Sequence, residues 1–452
     1  MPAIKARCLA ALACAVTLAV LLPPATSAAD PRPNIVFLLT DDQTMASLRT
    51  PGAMPFLQSL VAGPGWTRFN HAFDNTPLCC PARASILSGQ YSHHTGVINN
   101  STAANFDEND TIATWLHQAG YTTSLVGKYL NQYPVEQVPY TPPGWDDWHA
   151  LWMGAGGDHY YDYSLVENGQ TVSFTHDQGL HSTRVLGDRA LDFVRSARRP
   201  FFLYFAPFSP HKPAIPWPEH EGAFSGVSIP PSPNQHEHDV SDKPRWVRGK
   251  DLVPGQTMKA LAQREEDSLL DVDTVLSEMV DALQRRGVWD DTVFVFMSDN
   301  GYSYGSHRWI GKKCVYEECE QVPLYIRVPG APAHTSTRLV SNVDMAPTLT
   351  AIGSASPTIP EDGRSLVPLL LREPGSWRNE VLMEWVGDRY TPGFWAIRTR
   401  RYKFVSLETG EHELYDLRVD PQEMANQARN RAYRGVRERL ACRLEVLRGD
   451  TC

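Results

Sequence analysis

The chain has 452 residues, 42% hydrophobic, 21% charged and 10% aromatic, with a formal net charge of −9. That balance excludes a nucleic-acid binder held by phosphate contacts, but leaves room for a locally cationic site that takes a small anionic substrate. The length exceeds one ordinary hydrophobic core and predicts a large domain accompanied by a smaller one.

Residues 1–29 carry Lys5 and Arg7, an apolar run from Cys8 to Leu22, and small residues up to Ala28 and Ala29. This is the layout of a secretory signal peptide; the run is short for a membrane span, and no other stretch could cross a bilayer. The chain is therefore expected to be exported, without stable membrane insertion. The first buried strand is "NIVFLL" (34–39), and Thr40, Asp41 and Asp42 follow it. In "PLCCPARASILSGQ" (77–90), Pro81 suits the first helical position and the helix runs to Gly89. Cys79 would sit just ahead of a helix N-terminus, where free N–H groups and the macrodipole favour an anion, with the cation of Arg83 one turn on.

A helix is predicted over "DTIATWLHQAG", with Asp110 as N-cap and Gly120 as stop, because Ile112, Trp115, Leu116 and Ala119 share one face. The strand "TTSLVG" (122–127) delivers Lys128, and "PFFLYFA" (200–206) delivers His211 in "PFSPHKP". The Pro-rich stretch 207–255 reads as a substrate-facing rim, with Trp217, His236, His238, Trp246 and His307 as rim candidates. A long helix is predicted over 263–286, and the strand "TVFVFMS" (292–298) delivers Asp299 and Asn300. A boundary falls near 355–376; beyond it come "EVLMEW", "FWAIRT" and "YKFVSL" as antiparallel strands and a charged helix over about 421–448.

Strands alternating with helices predict an α/β fold: a large, mostly parallel sheet sandwiched by helices, with a smaller C-terminal α+β subdomain containing a short antiparallel sheet. The predicted spans are a signal peptide at 1–29, a catalytic domain at 30–360 and a C-terminal subdomain at 361–452. Each buried strand hands a polar residue to the sheet edge where ligands bind in such folds. Asp41, Asp42, Asp299 and Asn300 make an all-oxygen donor set that suits Ca²⁺ or Mg²⁺ rather than Zn²⁺, and export favours Ca²⁺. Cys314 with Cys319, and Cys442 with Cys452, are plausible local disulfides, although spacing alone does not fix connectivity. Cys79 and Cys80 fit neither a disulfide with each other nor a metal site, having no further Cys or His at ligand spacing nearby.

Cys79-Cys80-Pro81-Ala82-Arg83 followed by "ASILSG" resembles the signature of the type I sulfatases of the alkaline phosphatase superfamily. "LLTDDQ", "AGYTTSLVGKYLNQY", "PHKP", "SDNG" and "RTRRYKFV…ELYDLRVDPQEMAN" resemble further segments of that family, and Lys312 lies where it places a second lysine. "LCCPARASILSGQYSHHTGVINN", "GKYLNQY" and "HDVSDKPRWVR" look most like N-acetylglucosamine-6-sulfatases and related heparan-sulfate sulfatases. The resemblance implies that a maturation enzyme oxidises Cys79 to Cα-formylglycine. One hydroxyl of the aldehyde hydrate, bound to Ca²⁺, would attack sulfur, and the other would lose a proton and expel sulfate. Arg83, Lys128 and Lys312 would neutralise the sulfate oxygens, and His211, with Lys312 second, would protonate the leaving alkoxide. Leu130 stands where many sulfatases carry a histidine, a feature shared with the glucosamine-sulfatase branch. Two alternatives are a phosphonate or phosphate ester hydrolase of the same superfamily, and a catalytically silent binder of sulfated glycans.

Overall fold

Residues 30–133, 139–227, 232–373 and 375–452 are described by a computed structural model; the predicted signal peptide lies outside them. The strand Asn34–Thr40 is wholly buried, and its side chains alternate between two cores. Ile35, Phe37 and Leu39 face Ala84, Ile86, Trp115, Leu116, Met345 and Leu349 on one side of the sheet. Val36 and Leu38 face Leu186, Leu269, Val272, Val275 and Leu276 on the other. A strand covered on both faces reads as a continuous apolar run, which is why "NIVFLL" shows no alternation.

The ten strands run in the order His334–Ser336, Trp66–Phe69, Leu324–Arg327, Thr292–Ser298, Asn34–Thr40, Phe201–Ala206, Thr122–Gly127, Asp147–Leu151, Tyr163–Glu167 and Gln170–Phe174. The central strands from Thr292–Ser298 to Asp147–Leu151 are mutually parallel, and antiparallel neighbours flank them on both sides. The four predicted core strands therefore end at one edge. The large, mostly parallel α/β sandwich expected from the sequence is the one observed.

The second sheet has four antiparallel strands, Glu380–Trp385, Phe394–Thr399, Tyr402–Leu407 and His412–Asp416. One of its faces packs on Leu440 and Leu444 of the helix Arg434–Leu447. The other shares a core with Phe73, Leu78, Val315 and Tyr316. Leu78 immediately precedes Cys79, so this sheet supports the segment that presents it.

Several predicted boundaries move. The helix expected from 421 begins at Arg434, because the Asp420 carboxylate accepts the Met424 and Ala425 N–H groups, each at 2.9 Å, and holds that stretch in turns. Thr111 rather than Asp110 caps the helix Ile112–Gln118, through a reciprocal box with Thr114. The long helix starts at Gly255, eight residues before the apolar pattern sets in at 263. Cys314–Cys319 and Cys442–Cys452 are disulfides, while Cys79 and Cys80 are free and buried. No helix among the described residues is long and apolar enough to cross a membrane.

Candidate active site

Cys79 opens the helix Cys79–Ser88, and Pro81 is its third residue instead of its first. The shift is tolerated because no N–H of the first turn has an intrahelical partner, so proline costs nothing there. Leu78 is extended as N-cap, and Gly89 ends the helix at φ +74°. Cys79 is fully buried. Its Sγ lies 3.4 Å from Asp41 Oδ1, 3.7 Å from Asp42 Oδ1 and 2.6 Å from Lys312 Nζ.

The strand ends supply the rest. Asp41 donates its N–H to the Ser209 carbonyl, and Asp299 donates its own to the Thr40 carbonyl, which locks the loops after three strands together. Asp42 adopts a left-handed backbone at φ +66°, and its N–H donates to Asp299 Oδ1 at 3.1 Å. This is strain held at a site by its surroundings. Gly127 precedes Lys128 at φ +119°, where a Cβ would lie 2.0 Å from the Ala206 carbonyl oxygen; only glycine lets Lys128 N–H reach that oxygen at 2.7 Å.

Three cations and three carboxylates interlock here. Lys128 Nζ binds Asp41 Oδ2. Arg83 Nε donates to Asp299 Oδ2 at 2.7 Å and Nη1 to the Lys128 carbonyl at 2.7 Å. Lys312 Nζ reaches Asp42 Oδ1 and Oδ2 at 2.6 and 2.9 Å. Burial alone would raise the Asp41 and Asp42 pKa values, but Lys128, His211 and Arg83 hold Asp41 below the usual range, and Lys312 and His211 do the same for Asp42. Asp299 goes the other way: burial, with Asp41 nearby, lifts it to about 6. Burial, then Asp41, pushes the Cys79 thiol far up, so at neutral pH it is un-ionised and a poor nucleophile.

His211 Nε2 stands 3.6 Å from Asp42 Oδ2, and its Nδ1 donates to the Lys212 carbonyl at 2.8 Å. Burial lowers its pKa to about 4, leaving the imidazole neutral with the Nε2 lone pair toward Asp42. Asn300 is fully buried, and its Nδ2 donates to Asp42 Oδ1 at 2.7 Å while its Oδ1 has no hydrogen-bond partner. That orphaned oxygen beside three carboxylates fits a hard cation, which a single positive side chain would not replace. All nine candidate residues thus converge on one locus.

The predicted rim is different. Trp217 turns inward, its N–H bonded to Asp271 and its indole to His181 Nδ1. His307 is completely buried, and Trp246 packs against Trp309 and Tyr316; His236 and His238 are exposed. None of the five lines the cavity of about 460 Å³ that opens beside Asp42. Lys212, Arg264, Glu265, Tyr302 and Tyr304 do. Glu265 is buried, accepts the Thr44 N–H at 2.9 Å, and is raised to about 7, chiefly by burial and also by Asp42. Lys212 was legible in "PHKP", but Glu265 would have required noticing that an acidic run falls on the buried side of the long helix.

Residues 33–354 match the sulfatase family, and residues 305–450 match the C-terminal region of N-sulphoglucosamine sulphohydrolase. The chain is 33% identical over 382 residues to N-acetylglucosamine-6-sulfatase of Homo sapiens, covering 79% of this chain and 68% of that protein. It is 31% identical over 501 residues to an arylsulfatase of Volvox carteri, covering 94% and 76% respectively. A solved complex of a protein with its substrate D-glucosamine-2-N,6-O-disulfate matches with a TM-score of 0.81 at 25% identity, over 92% of this chain and 98% of that one. The chain belongs to the sulfatase family and is a sulfuric ester hydrolase.

Proposed function

We propose that the protein removes the 6-sulfate from glucosamine-type sugars, as an N-acetylglucosamine-6-sulfatase does, through a formylglycine at position 79 and one Ca²⁺. The observation that carries this reading is the position of Cys79 Sγ, fully buried, 3.4 Å from Asp41 and 2.6 Å from Lys312. A thiol kept un-ionised there has no use as a nucleophile, whereas oxidation by a maturation enzyme replaces it with a group that adds water. The hydrate of that aldehyde would supply a nucleophilic hydroxyl, which a divalent cation held by the neighbouring carboxylates would make more acidic.

Asp41, Asp42, Asp299 and Asn300 would hold the cation, together with the matured residue 79. With three carboxylates already matched by Arg83, Lys128 and Lys312, a divalent ion leaves the site net positive, as a sulfate ester requires. Arg83, Lys128 and Lys312 then orient and neutralise the sulfate oxygens. His211 delivers a proton to the leaving sugar oxygen once the negative charge of the ester has raised its affinity for protons, with Lys312 as second choice. Leu130 is buried and offers no polar atom to the hydrate; the cation beside Cys79 Sγ is Lys312, with Nζ at 2.6 Å. We further propose export after removal of residues 1–29, a catalytic domain over 30–360 and a C-terminal subdomain over 361–452.

The test pairs two measurements on protein coexpressed with a maturase. The mass of the peptide containing residue 79 reads thiol or aldehyde. A panel of defined sulfated mono- and disaccharides, run beside phosphate and phosphonate esters, reads the substrate. Turnover of glucosamine 6-sulfates with an aldehyde at 79 supports the proposal; turnover with an unmodified thiol, or preference for phosphorus esters, rejects it.

A further inference from the structure

A second polar cluster lies outside the active site. It joins four chain segments: the stretch with Asn234 and Glu237, the turn at His307, the helical turn Glu317–Glu320, and the turn with Glu423. His307 is fully buried at φ +52°, its ring stacked on Tyr316 with centroids 3.8 Å apart. Its Nδ1 is 2.7 Å from Glu237 Oε2. A carboxylate at Nδ1 fixes the tautomer and leaves the Nε2 lone pair facing the cluster, the arrangement that orients a metal-binding histidine. Donor atoms of His307, Glu318 and Glu423 all lie within 4.8 Å of one another.

Two observations ask for a cation there. Asn234 is 1% exposed; its Nδ2 faces His307 Nε2 at 3.3 Å and also Glu318 Oε1, while its Oδ1 has no partner. In this placement the amide protons serve the imidazole and the carboxylate; a half-turn of the amide would bring its oxygen to that point instead, beside two acceptors that only a cation could join to it. The local charge is also short of cations. Arg398 pairs with Glu317 at 2.9 Å and Lys243 with Glu237 at 3.4 Å, but Lys403 is shared by Glu317, Glu320 and Glu423 at 3.7, 3.1 and 2.8 Å, and Glu318 has no cation within 4.0 Å among the described residues. Glu423 is buried and Glu318 half-buried, and carboxylates gathered this closely are costly unless a cation joins them.

We infer that His307 Nε2, Glu318, Glu423 and the Asn234 amide oxygen form a site for a divalent transition-metal ion. One imidazole nitrogen with oxygen donors suits Zn²⁺ or Mn²⁺ better than Ca²⁺. A cavity of about 680 Å³ lined by Ser306, Glu318 and Gln422 gives the ion a way in. Bound there, it ties the 232–240 stretch and the 420–423 turn to the segment that presents Lys312 five residues after His307.

Full-length protein is stripped with chelator, refilled with excess Ca²⁺, dialysed against micromolar Zn²⁺, and its metals counted by mass spectrometry. Wild type is expected to retain one Zn²⁺ per chain more than Glu318→Gln, and Zn²⁺ is expected to raise the melting temperature of wild type alone. Equal zinc in both proteins overturns the inference. Since Glu318 lacks an ion-pair partner, Glu318→Gln in metal-free buffer should melt no lower than wild type. A variant that melts lower there, beside a wild type indifferent to Zn²⁺, reduces the cluster to ordinary hydrogen bonding and equally overturns the site.

Discussion

Arg83 and Asp299 form an ion pair at 2.7 Å in which neither side chain has any solvent exposure. Removing one partner of such a pair strands the other charge, which typically costs about 3–5 kcal/mol. Asp299→Ala is therefore expected to lose stability by that order, and to lose bound calcium and activity with it. Denaturant titration and metal analysis on the same preparation check both. A variant that melts lower but keeps full calcium and full turnover would remove Asp299 from the metal site and leave it a structural role only.

Cys79→Ser is expected to leave the fold intact, since a hydroxyl of similar size replaces a thiol already surrounded by polar atoms. Turnover should nevertheless fall by more than about 1,000-fold, because serine offers one oxygen on its Cβ where an aldehyde hydrate offers two. Steady-state rates with a saturating sulfated sugar, beside a melting curve, make the comparison. Wild-type turnover in this variant would end the formylglycine reading.

The site was legible because parallel strands buried on both faces announce themselves as short apolar runs, and whatever follows them must meet at one sheet edge. That reasoning reached Asp41, Asp42, Lys128, His211, Asp299 and Asn300 without any knowledge of pairing. Cys79, Arg83 and Lys312 needed more, namely a helix start or a family resemblance. The rim was not legible. Whether a loop tryptophan turns outward depends on partners far along the chain, as Trp217 finds Asp271 and His181. The buried histidine His307 looks in sequence like any polar loop residue. The cap of the 112–118 helix failed for a smaller reason: Asp110 and Thr111 are both good caps, and only the returning hydroxyl of Thr114 decides between them.

His211→Ala separates proton donation from sulfate binding. A sugar alkoxide is a strong base and needs a proton as the ester bond breaks, so kcat on a sugar 6-sulfate is expected to fall by about 100- to 10,000-fold. A nitrophenyl sulfate leaves unaided, and its kcat should fall by less than about tenfold while KM changes little. Equal losses on both substrates would show that His211 holds the sulfate or the metal ligands and does not serve as the acid.

A pH test outside the catalytic cluster concerns His149. Its Nε2 lies 3.0 Å from Asp147 Oδ1 and its Nδ1 3.1 Å from Glu167 Oε1, the latter directly across from it on the neighbouring antiparallel strand. Burial favours the neutral ring, but the two carboxylates outweigh it and lift the pKa to about 9. The folded value lies above the unfolded one, so the histidine's contribution is fully present below about pH 6.5 and is lost as pH rises through about 9. Glu167 has the opposite sign. Held down to about 2, mainly by His149 and Arg189 against the effect of burial, it stabilises above about pH 4.5 and fades as pH falls through 2. Between these limits the pair is charged and complete. With the side chain 14% exposed, solvent screens part of the interaction, and about 1–2 kcal/mol is the expected size. Urea titrations at pH 6.5 and 9.5 should show wild type losing that much more stability than His149→Gln over the interval. Parallel losses in the two proteins would mean that other groups carry the alkaline instability and that this cross-strand pair contributes nothing measurable.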